Sequence, residues 1–167
     1  MKLNIIGLIA AILAFITIVL PWWTMSVIGI SFSFSLLDFA NLAGIVSSVP
    51  GASAFDIWFV WAALALLAIG GLLGLVGSFL IGGKGKSLLA VGGILVILAP
   101  IIFAAGLAAT GLPLFGSISS GGYDITFYIS FGFFLALIAG ILMLISLKKH
   151  PMEAEAVPLA PLAPPPQ

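Results

Sequence analysis

The chain contains no cysteine. Disulfides, thiolate metal sites, a cysteine nucleophile and a palmitoyl anchor are therefore excluded, and cysteine usage carries no information about redox compartment. Charge is nearly as scarce. Only 6% of residues are charged, and five basic residues balance five acidic ones for a formal net charge of +0. No nucleic-acid partner is expected, because a broad basic surface cannot be built from this composition. His150 is the single histidine, and no ionisable residue falls inside a long apolar run. Intramembrane charges cost about 2.5 kcal/mol or more at the bilayer centre and mark proton and ion paths, so a pump or ion-coupled transporter acting alone is not expected. Zinc and copper need clusters of His, Cys or carboxylate, haem needs axial His, Met or Cys, and a serine nucleophile needs a base. The sequence is expected to hold no catalytic residue, no cofactor and no metal, and not to be an enzyme.

What the chain does have is apolar length: 63% of its 167 residues are hydrophobic, too many for a soluble core of this size to absorb. Four runs, about 5–20, 57–81, 88–109 and 125–147, approach or exceed the length that crosses a hydrocarbon core of ~30 Å at about 1.5 Å per residue. The expected fold is an all-α membrane protein, a four-helix transmembrane bundle over 1–147. All five lysines, Lys2, Lys84, Lys86, Lys148 and Lys149, fall at or near one set of run ends, whereas Asp38, Asp56 and Asp124 fall at the other. By the positive-inside rule both termini are inside, with outer loops at 21–56 and 110–124 and a cytoplasmic Pro-rich tail at 148–167. The expected location is the plasma membrane, as a multi-pass protein whose first partner is the lipid bilayer. A basic start before an apolar run is also the pattern of a signal peptide, but Pro21-Trp22-Trp23 replaces a small-residue cleavage site, which favours an uncleaved helix.

Within the first outer loop, Thr24, Ser26, Ser31, Ser33 and Ser35 alternate with Met25, Val27, Ile30, Phe32, Phe34 and Leu36. This period of two predicts a β-hairpin turning near Gly29, and the helical spacing of 37–49 predicts a short helix on the membrane surface before Pro50-Gly51. Asp56 and Asp124 are expected to cap the second and fourth spans. The three aspartates of the outer side could in principle converge on a cation, Asp38 being the one without another role. Gly82-Gly83-Lys84-Gly85-Lys86-Ser87 has the composition of a phosphate loop without its spacing or a preceding strand, and reads as a cytoplasmic turn that makes spans two and three antiparallel neighbours. Pro100 removes an amide donor within span three and bends it. Thr17, Ser78, Ser130 and Ser146 are the polar groups of the spans, each able to bond a carbonyl one turn earlier. His150, beside two lysines, is expected to be solvated at the membrane edge. The prolines at 158, 161, 164, 165 and 166 suit an extended solvated tail, or a polyproline ligand.

Helices in lipid associate through small residues. Gly70, Gly74 and Ser78, and Gly132, Ala136 and Gly140, recur every four residues and are the expected helix-packing interface, with Gly7 and Ala11 on span one. They serve either packing within one bundle or self-association. Trp22, Trp23, Phe32 and Phe34 are the expected outer-loop contact, the tryptophans also suiting an aromatic belt.

Leu20-Pro21-Trp22-Trp23-Thr24-Met25-Ser26 resembles the claudin-type entry into the first extracellular segment, where Leu-Pro and a tryptophan lead into a β-strand. The overall plan is similar: four spans, both ends inside, a long first outer loop with strands and a shorter second one. The Gly-Leu-Trp and paired cysteines of that family are absent, so the resemblance implies a claudin-like architecture and not paracellular sealing. The function expected from these residues is that of a non-catalytic tetraspan protein, a structural, scaffold or accessory subunit working through helix packing and outer-loop contacts with other membrane subunits or itself. The alternative is a passive pore or small-molecule transporter bent at Pro100.

Overall fold

The computed structural model describes residues 3–47, 57–120 and 122–150. Its elements run α1 (Ile5–Thr17), β1 (Trp23–Val27), β2 (Ile30–Phe34), α2 (Leu36–Ser47), α3 (Trp58–Phe79), α4 (Gly83–Ala109), β3 (Gly116–Ser120), β4 (Tyr123–Ile129) and α5 (Phe131–Ser146), closed by a 3-10 turn at Leu147–Lys149. The protein is mostly helical. Three helical stretches, Trp58–Phe79, Gly83–Ala109 and Phe131–Lys149, are long and apolar enough to cross a membrane, while α1 is a shorter apolar helix. At 13 residues α1 covers about 20 Å, less than the run of 5–20 led us to expect. It stops at Thr17, whose hydroxyl donates to the Ala14 carbonyl at 2.7 Å.

α1 packs on α3 and α5, and α4 packs on the same two helices from the other side, so the four form a closed cycle. Alanines line their contacts, while many large aliphatic side chains face outward. Ala10, Ala11, Ala14, Ala63, Ala99, Ala136 and Ala139 are buried, whereas Ile5, Ile9, Ile69, Leu72, Ile101, Ile138 and Ile145 point outward. α3 and α4 are joined by the short link Leu80–Gly82, in which Gly82 takes φ +84. The helix after that link begins at Gly83 rather than Leu88, so most of the lysine-bearing turn is the first turn of α4. α4 also continues through Pro100, which is buried within it.

At the opposite end from the described lysines, four strands form one antiparallel sheet in the order β2-β1-β4-β3. The hairpin of the first loop is present, with Trp23 opposite Phe34 and Val27 opposite Ile30 across an Ile28-Gly29 turn. The second outer loop, whose Gly and Ser content suits a mobile or hairpin-like connection, holds the other strand pair, and its second strand reaches further than expected. Residues 125–129, expected to open the fourth span, form a strand because Ile125, Phe127 and Ile129 alternate with Thr126 and Tyr128, the pattern of one buried face. β4 pairs with β1, Trp23 opposite Ile129 and Met25 opposite Phe127, and ties the two loops into a single sheet. α5 therefore starts at Phe131 with Ser130 at its N-cap.

Candidate interaction surfaces

The junction between sheet and helices is built on Pro21 and Trp22. Trp22 donates its backbone N–H to Phe34 O at 2.8 Å and its indole N–H to Thr17 O at 2.6 Å, and it accepts from the Ser130 amide at 2.9 Å. The Gly132 amide donates to Pro21 O at 2.6 Å. Trp22 meets Phe103 edge-on at 5.2 Å and Phe133 at 5.9 Å, and Trp23 stacks on Phe127 at 5.1 Å. Both tryptophans are buried, Trp22 at 0% exposure. The expectation that they form an outer contact or an interfacial belt is thus corrected: the backbone bonds of the Pro-Trp turn pull the rings inward, into the aromatic core. The exposed tryptophans are Trp58 and Trp61, at the start of α3.

Of the four aromatics expected at the outer contact, Phe34 is half-buried and Phe32 is exposed. Register places Met25, Val27, Ile30, Phe32, Ile118 and Ile125 on one face of the sheet and Thr24, Ser26, Ser31, Ser33 and Thr126 on the other. The apolar face is buried at its base by Trp23 and Phe127 and uncovered toward its tip, where Ile30 is 62% and Phe32 48% exposed. Polar groups on the opposite face satisfy each other, as Thr24 Oγ1 and Ser33 Oγ do at 3.0 Å.

Asp38 and Asp124, in separate elements, are each engaged with a serine. Asp38 lies in the first turn of α2 and completes a reciprocal cap with Ser35: its carboxylate accepts from the Ser35 amide at 2.8 Å, and Ser35 Oγ accepts from the Asp38 amide at 3.2 Å. Those bonds, the backbone one foremost, hold its carboxyl below the usual carboxylate range. Asp124, expected to cap a helix, sits within β4 and accepts from Ser119 Oγ across the β3-β4 pair. Asp56 lies outside the described residues. Among the described residues no cluster of three or more metal-ligating side chains occurs.

The small-residue faces are consumed within the chain. A Cβ built on Gly70 would stand 2.8 Å from Gly92 O, one on Gly77 2.8 Å from Gly85 O, and one on Gly93 3.0 Å from Gly140 O. Gly74 faces Met143 and Ala11, Gly132 receives the edge of Trp22, and Ala136 and Ser78 are buried. The α4 partners of these contacts were missed, although the signal was present: Ala63, Gly70 and Gly77 on α3, and Gly85, Gly92, Ala99 and Gly106 on α4, each recur every seven residues. Ser78 and Ser146 bond back to Gly74 O and Met143 O as expected, but Ser130 is an N-cap position and no side-chain cap bond is made there.

The lysine-bearing end closes around Asn4 and His150. The Asn4 amide nitrogen donates to Ser146 O at 3.1 Å and lies 3.2 Å from His150 Nδ1, while its oxygen accepts from the Gly7 amide at 3.0 Å. His150 is 6% exposed. It is a buried link between the two ends of the helical cycle, not the solvated residue that its lysine neighbours suggested.

No family model matches the chain, and no curated protein matches its sequence.

Proposed function

We propose that this is an integral membrane protein with four spans and both termini on the inner side, acting without catalysis as a structural, scaffold or accessory subunit. Support for the membrane comes from the three long apolar helices and from the Ile, Leu and Phe side chains that face outward while small residues line the helix contacts. α1, with its flanking apolar residues, would complete the fourth span. Support for the orientation is the sequestration of the described lysines at one end and of Asp38 and Asp124 at the other. The claudin-like plan, extended to this chain as architecture only, is consistent with a sheet that joins both outer loops.

One observation carries the functional reading: the glycine faces are spent on internal packing, whereas the apolar face of the sheet stays uncovered around Ile28, Ile30, Phe32 and Ile118. Exposed apolar surface on an outer sheet whose one charged residue, Asp124, is bonded to Ser119 suits contact with the outer segment of a partner subunit. The test is purification of the tagged chain in mild detergent beside the Ile30→Ser/Phe32→Ser double variant. A stoichiometric partner lost from the variant supports the reading. Recovery of a lone monomer, or a partner retained by the variant, overturns it. A pore or small-molecule transporter is the competing reading, and the close backbone contacts between α3, α4 and α5 weigh against it. Flux of ions or small neutral solutes through liposomes containing the chain, above that of empty vesicles, would reverse the ranking.

A further inference from the structure

Among the described residues, one buried side-chain atom has no hydrogen-bond partner, His150 Nε2. The ring is held from its far side. Asn4 commits its oxygen to the Gly7 amide and so presents its amide nitrogen to His150 Nδ1, which makes Nδ1 the acceptor and leaves the ring proton on Nε2. That N–H points at the first turn of α4: Nε2 lies 2.7 Å from where a Cβ on Gly85 would stand.

The same turn leaves further donors unspent. Gly83, Lys84 and Gly85 carry first-turn amides with no acceptor within the helix, and Gly82 at the N-cap contributes no capping side chain. A helix of 27 residues brings the positive end of its dipole to this point. Lys84 and Lys86 are exposed around it, and the 3-10 turn bearing Lys148 and Lys149 packs on α4. The described acidic residues, Asp38 and Asp124, are both at the sheet end. The carbonyls of Gly77 and Leu80 border Gly85 on the α3 side, so an anion would have to approach from the amide side of the turn.

We propose that the start of α4, with His150, binds a phosphate group: one oxygen on the first-turn amides, another on His150 Nε2–H, and the lysines neutralising the charge. Gly85 is needed because a Cβ there would strike the Leu80 and Gly77 carbonyls as well as the imidazole. A phosphate can come from a lipid headgroup or from a free anion, and only the lipid source rests on the membrane reading, which sedimentation of the chain tests separately.

The lone histidine makes its own reporter. With histidine labelled in 15N, the full chain in phosphate-free maltoside micelles gives Nε2 and Nδ1 signals from one residue, and phosphatidylglycerol or inorganic phosphate is then titrated in. The expected result is a saturable displacement of the Nε2 resonance, weakened about tenfold or more in the Lys84→Gln/Lys86→Gln variant, whose substitutions are exposed and leave the fold intact. Saturation by phosphatidylglycerol but not by inorganic phosphate at equal concentration assigns a headgroup; the reverse assigns a free anion. An Nε2 signal unmoved by either, or lipid binding that depends on the lysines while Nε2 stays still, overturns the proposal in favour of diffuse surface attraction.

Discussion

Gly92→Ala and Gly74→Ala add the same methyl group to facing helices, yet they should differ sharply in stability. On Gly92 the added carbon would stand 2.6 Å from Gly70 O and 2.9 Å from Gly74 N, short of the 3.4 Å of ordinary contact by 0.8 and 0.5 Å. Both obstacles are backbone of α3, so relief requires α3 and α4 to separate. An opening of that size forfeits roughly a quarter to a half of each dispersion contact along the seam, and overpacking of this kind costs about 1–3 kcal/mol. Alanine's helix propensity returns about 1 kcal/mol, leaving a net loss of up to about 2 kcal/mol. On Gly74 the carbon meets Met143 Cε at 2.8 Å and Sδ at 2.9 Å, the far end of a flexible side chain, and Ala11 only at 3.4 Å. Methionine can re-rotamer, so Gly74→Ala should lie between neutral and about 0.5 kcal/mol stabilising. Unfolding of both variants from maltoside micelles by added dodecyl sulfate, followed by far-ultraviolet circular dichroism, measures the difference. The seam argument fails if Gly92→Ala is as stable as the wild type, or if Gly74→Ala is the more damaged.

Ile28 adopts φ +51 at an exposed hairpin tip, a conformation costly for a β-branched residue, so Ile28→Asn should raise stability by about 1 kcal/mol in the same unfolding assay. Trp22→Phe removes the indole donor and leaves Thr17 O buried without it; a loss of about 1–3 kcal/mol is expected, larger than for Phe32→Leu at the exposed tip. Asp38, its carboxyl held below the ordinary range by Ser35, binds protons more weakly folded than unfolded. Its contribution is therefore complete above about pH 4, the unfolded value, and is lost as pH falls through the lower folded one. Melting curves between pH 6 and 3 should show that loss in the wild type and a smaller one in Asp38→Asn.

The first hairpin was legible because Thr24 to Val27 and Ile30 to Leu36 each alternate on either side of Ile28-Gly29, and no competing periodicity overlies them. The Tyr123-to-Ile129 strand carries the same alternation, but it runs directly into the apolar residues of α5, and continuous hydrophobicity masked the change of period. Asp124 consequently passed for a helix cap when its side chain belongs to a strand pair. His150 was misplaced for another reason: its charged neighbours are exposed on the 3-10 turn while the imidazole turns back toward Asn4, 146 residues away in the chain.

Apolar length, the segregation of charge and the small-residue spacing are properties of the polymer, and they determined that helices of membrane-spanning length would form and which of their faces could approach. Contacts between distant segments were decided by the folded molecule alone. Only there do β1 and β4 meet, which buries Trp22 and Trp23 and leaves Phe32 outside. Only there does Asn4 orient an imidazole whose free N–H meets the start of α4. Periodicity reports what one element can bury, but which partner buries it depends on how the elements close around one another.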